Sequence, residues 1–60
     1  MLDRLPKDPV MLLSVINTEL RDLYPTLDAL CESRNVPKEE ISAKLKMIDY
    51  EYDENENQFV

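Results

Sequence analysis

The chain has 60 residues, of which 43% are hydrophobic and 33% charged, and folding at that size removes only about 60% of the unfolded surface from water. That length holds one small domain, and four aromatic residues among 60 leave the core to Leu, Ile, Val and Met, which favours helices. The net charge is −6, concentrated at the end: residues 1–48 carry seven basic and eight acidic groups, residues 49–60 five acidic and no basic ones. Such a balance argues against nucleic acid and anionic membranes as partners.

A leading segment over residues 1–7 contains Asp3, Arg4 and Lys7, so it does not read as an export signal, and the following run "PVMLLSVI" is too short to span a bilayer. The lone Cys31 cannot form an intrachain disulfide, and secreted domains of this size usually depend on them. A cytoplasmic protein is expected.

Asp8 before Pro9 is a helix start, because a carboxylate can accept free N–H groups and proline at the first helical position loses nothing. The first helix is expected from Pro9 to Tyr24, with Leu13, Ile16, Leu20 and Leu23 as its buried stripe and Leu12 and Tyr24 at the margins. Val10, Met11 and Val15 lie off that stripe, so the first turns are apolar nearly all round and need cover from the leading segment, the tail or a second subunit. These three residues are the candidate partner contact. Asn17 falls at the stripe's edge, where its amide either bonds a tail backbone group or stays in water.

A second helix is expected from Thr26 to Arg34, burying Leu27, Leu30 and Cys31. The chain has no glycine, so Asn35 is the residue placed to take the left-handed conformation that closes this helix. Pro37 opens a third helix through Ile48, with Glu39 and Glu40 in its first turn, Lys44 and Lys46 in its last, and Ile41, Leu45 and Ile48 inward. From Asp49 to Val60 the string "DYEYDENENQFV" changes character: spaced tyrosines, a turn-forming "DENEN" and an apolar end suggest an extended segment or minimal β-hairpin laid on the helices. Tyr50, Tyr52 and Phe59 are expected to close the core, with a role as partner anchors the alternative. The architecture expected is thus three short helices over residues 8–48 and an acidic aromatic tail over 49–60, all-α or small α+β.

Few chemistries are available to this composition. Without histidine there is no ordinary neutral-pH acid or base, and without glycine no phosphate-cradling loop. Cys31 lies on the inward face, where cysteine is usually an inert hydrophobe. Read as a calcium loop from Asp49 or from Asp53, the tail lacks the sixth-position glycine and the closing bidentate glutamate. No catalytic residue, metal or cofactor is expected. "LCESRNVPKEEISAKL" has the outline of a helix-turn-helix, but Glu39 and Glu40 would lead its reading helix toward phosphate. The function expected is therefore a non-enzymatic module that binds itself or another protein, with a degenerate helix-turn-helix DNA regulator as the alternative.

"LLSVINTELRDLYPTLDALC" and "YEYDENENQF" together resemble a short bacterial family defined as domain of unknown function 4250. The resemblance runs from about Pro6 to Phe59 and rests on Leu13, Ser14, Asn17, Leu20, Arg21 and Asp22, then Tyr50, Tyr52, Asp53, Asn57 and Phe59. It implies a small cytoplasmic bacterial protein with an ordered tail and brings no activity with it. Chains of this kind often carry glycine just before the first tail tyrosine; here Asp49 stands there.

Overall fold

The computed structural model describes residues 5–60, so the leading segment is seen from Leu5 onward and residues 1–4 lie outside the described residues. Three helices, α1 (Pro9–Asp22), α2 (Leu27–Arg34) and α3 (Lys38–Lys46), precede a two-stranded antiparallel hairpin of β1 (Tyr52–Asp53) and β2 (Gln58–Phe59). This is the expected small α+β arrangement, with the tail resolved as a hairpin. Its register pairs Tyr52 with Phe59 and Asp53 with Gln58.

Helix boundaries follow local chemistry, with some shifts. α1 ends at Asp22, two residues before Tyr24, because Pro25 disfavours helical geometry at Tyr24; the Leu23 and Tyr24 N–H groups both donate to the Glu19 carbonyl. Asp8 holds the N-cap position, but its side chain makes no capping bond. Thr26 does cap α2, its hydroxyl accepting from the Ala29 N–H at 3.1 Å. Asn35 closes α2 at φ 58°, and the Val36 N–H reaches back to the Cys31 carbonyl. α3 begins one residue after Pro37 and stops at Lys46, where the chain tightens: Met47, Ile48 and Asp49 each donate to a carbonyl three residues back.

The core unites Leu12, Ile16 and Leu20 of α1, Leu27, Leu30 and Cys31 of α2, Ile41 and Leu45 of α3, and Phe59 of β2. The buried line of α1 is therefore not the expected one. Leu12 lies at its centre, Leu13 is half-buried, and Leu23 is 66% exposed. Leu23 leaves the stripe because it falls beyond the helix end, and the strict four-residue ridge Leu12, Ile16, Leu20 replaces it. Ile48, expected inward, is half-buried. Fully burying a Phe side chain contributes roughly 1.5–3 kcal/mol, while a domain of this length has only about 3–9 kcal/mol in total, so Phe59 is a large part of what holds the fold.

Candidate functional site

The candidate regions are the laced junction between hairpin and helices and the exposed face of α1.

The hairpin is held by its main chain. Glu51 and Val60 exchange both hydrogen bonds, at 3.0 and 2.8 Å, which makes the next pair, Tyr52 and Phe59, one whose main-chain groups point away from each other. The outward groups of Phe59 meet Asn17: the Phe59 N–H donates to Asn17 Oδ1 at 2.8 Å, and Asn17 Nδ2 donates to the Phe59 carbonyl at 3.1 Å. A side-chain amide thus stands in for a neighbouring strand. On the inner face the Tyr52 and Phe59 rings lie 5.5 Å apart in a tilted pair.

Asn57 and Tyr52 tie this hairpin to the α1–α2 junction. Asn57 Nδ2 donates to the carbonyls of Leu20 and Tyr24, at 3.0 and 3.1 Å, and so satisfies the end of α1. Its Oδ1 accepts from the Tyr52 hydroxyl at 2.7 Å, and that hydroxyl accepts in turn from the Leu27 N–H at the start of α2, at 3.2 Å. Asn57 is at φ 54° to do this. Among the described residues every buried side-chain nitrogen and oxygen has a partner. Of the residues named for tail docking, Asn17, Tyr52 and Phe59 meet directly, and Tyr50 packs half-buried against the core.

The ends of the tail are shaped by charge. Lys46 bridges to Glu51, and this hydrogen bond and charge hold the Glu51 carboxyl below its ordinary value and raise the lysine. Lys38 pairs with Asp28 at 2.9 Å and is raised by it. A half-buried pair, Arg34 with Glu19, joins α2 to α1. No sequence spacing signals that pair, since its members lie 15 residues apart on different helices. In the turn, Asp53 Oδ1 accepts from the N–H groups of Asn55 and Glu56, at 2.9 and 3.4 Å, so the carboxylate is engaged in making the loop. Among the described residues no three His, Cys, Asp or Glu side chains gather as a metal site. Cys31 is buried, and that burial pushes its thiol up, away from the reactive thiolate.

On α1 the structure leaves Val10 and Met11 62% and 59% exposed, with Val15 half-buried one turn after Met11. On the helical wheel the exposed Ser14 and Thr18 fall between Val10 and Met11, and no residue from Pro9 to Thr18 is charged. Leu5 packs on the core instead, beside a groove of about 360 Å³ that it shares with Leu12, Val36 and Ile41. The described leading residues and the hairpin therefore leave this face of α1 open. α2 and α3, joined by Asn35, Val36 and Pro37, have helix-turn-helix lengths, but Glu39 and Glu40 are exposed at the start of α3 and Lys38 is engaged by Asp28.

The model of the domain of unknown function DUF4250 matches residues 6–59. The chain belongs to this family. No curated protein and no solved structure matches it. The matched span covers the helices and the whole hairpin, so the Asn17, Tyr52, Asn57 and Phe59 lacing belongs to the family domain as it stands in this chain. No described helix is long and apolar enough to cross a membrane.

Proposed function

We propose that this member of DUF4250 is a non-enzymatic cytoplasmic binding module that self-associates through the uncharged face of α1 around Val10, Met11 and Val15. One observation supports this above the others: in a chain one-third charged, ten consecutive residues carry no charge, and two large apolar side chains among them remain in water after folding. Isolated exposed hydrophobes are ordinary; an uncharged helical face bearing two of them suits a partner. The acidic hairpin lies outside that contact; its charge would speed encounter only with a basic partner, not with a second copy of this acidic chain.

Sedimentation equilibrium across a range of concentrations tests this reading. A dimer that Met11→Asp converts to a folded monomer, with unchanged circular dichroism, supports it. A wild-type chain that stays monomeric, and is indifferent to Met11→Asp, overturns it. Retention of random duplex DNA in a gel at low salt, weakening steeply as salt rises, would favour the helix-turn-helix instead.

A further inference from the structure

The hairpin has two edges, and the structure treats them differently. On β2 the outward N–H and C=O of Phe59 are taken by Asn17. On β1 the outward N–H and C=O of Tyr52 meet no partner among the described residues. Open grooves adjoin this edge. One, of about 380 Å³, lies between Ser42 and Lys46 of α3 and Tyr50 and Tyr52; another, of about 340 Å³, lies between Leu27, Lys38, Tyr52 and Glu54. Lys38, Ser42 and Lys46 recur every four residues, so they form one face of α3 alongside both grooves.

We propose that the free edge of β1 accepts an extended basic segment of a partner protein as a third strand. Tyr52 supplies the main-chain donor and acceptor, and the two grooves give the added strand room on either side. The occupant's charge follows from the residues flanking Tyr52. A second copy pairing antiparallel about Tyr52 would set each Glu51 opposite the other copy's Asp53, and like charges directly opposite are destabilising. Glu51, Asp53, Glu54 and Asp28 outnumber Lys38 and Lys46 around the edge; with Lys38 paired to Asp28 and Lys46 to Glu51, the charges of Asp53 and Glu54 remain in excess. Lysine or arginine on either side of an apolar residue therefore complements this edge, with the apolar residue opposite Tyr52. This site is distinct from the α1 face, and does not require that the chain self-associate.

A capped Val-Lys-Val-Lys-Val peptide titrated into the isotope-labelled full chain tests the proposal by two-dimensional NMR. The expected result is shifts clustered at Glu51, Tyr52, Asp53 and Lys46, slower hydrogen exchange at the Tyr52 amide, and affinity at least roughly tenfold weaker when each valine is N-methylated. Replacing the peptide's lysines by glutamates should abolish binding, and Met11→Asp in the protein should leave it unchanged. Equal binding of the N-methylated peptide would mean charge attraction without strand addition and overturn the proposal. So would shifts centred elsewhere, or none at all.

Discussion

The side-chain amide of Asn17 pairs with both main-chain groups of Phe59, at 2.8 and 3.1 Å, and so docks the last strand onto the first helix across 42 residues of sequence. Asparagine alone among small side chains offers a donor and an acceptor in the spacing of a peptide group. Asn17→Ala leaves the Phe59 N–H and C=O without those partners, at an expected loss of about 1–3 kcal/mol. Asn17→Asp keeps the acceptor but sets a carboxylate against the Phe59 carbonyl, and should be no less destabilising. Urea denaturation followed by circular dichroism checks both, as a lowered midpoint with an unchanged slope.

The Tyr52 hydroxyl carries a different share of the same docking. Tyr52→Phe keeps the ring against Phe59 but deprives the Leu27 N–H of its acceptor and Asn57 of its donor. An expected loss of about 1–2 kcal/mol should appear, with faster hydrogen exchange at the Leu27 amide. Phe59→Ala removes the ring itself, and at about 3–5 kcal/mol it approaches the whole stability of a domain this size. Far-ultraviolet circular dichroism at 25 °C should then show a largely unfolded population. An intact helical spectrum for Phe59→Ala would mean that the three helices cohere without the hairpin.

What the sequence makes legible depends on the range of each interaction. Asn35 was readable as a left-handed closure because the signal is local: a chain without glycine has few residues that tolerate φ 58°. The three helices and the aromatic tail were readable from periodicity and composition. Periodicity puts Leu23 in the buried stripe because it extends the stripe past the point where Pro25 ends the helix, and the structure exposes it. Asn17 had two open readings, since a side chain at a stripe's edge reveals its partner only when the tail is in place. The capping of α1 by Asn57 and the Glu19–Arg34 pair were not visible at all, because both join distant segments through polar groups that leave no periodic trace.

Asp49 stands at φ 65° as α3 ends, with the Tyr50 N–H donating to the Leu45 carbonyl at 3.0 Å. That backbone geometry is the one glycine adopts without steric cost, whereas aspartate adopts it against the crowding of its Cβ. Asp49→Gly should therefore stabilise the chain by about 0.5–1 kcal/mol, offset in part by the entropy of a more flexible unfolded state. Asp49→Val should destabilise it, because a β-branched side chain tolerates positive φ poorly. Thermal unfolding of the three proteins side by side checks the order, Gly above Asp above Val.

Acid should weaken the hairpin's attachment to α3 before it touches the core. Glu51 is held below its ordinary carboxyl value by the hydrogen bond and charge of Lys46, and Asp22 by the hydrogen bond of Arg21. A group whose folded value is depressed adds stability above its unfolded value and loses it as pH falls through the folded one. Stability should therefore decline from the ordinary carboxylate range downward. Both pairs are exposed at the surface, so the decline should be shallow and should flatten further in high salt. Glu51→Gln removes one of the two titrating groups, and a pH series of urea midpoints should show a gentler acid limb for this variant than for the wild type. At the alkaline end the sign is opposite: burial raises the Cys31 thiol, so its contribution is complete below the unfolded thiol's value and is lost as pH rises through the folded one. Cys31→Ala should reduce that alkaline slope to the shallow part contributed by the raised, exposed Lys38 and Lys46, while leaving the acid limb where it was.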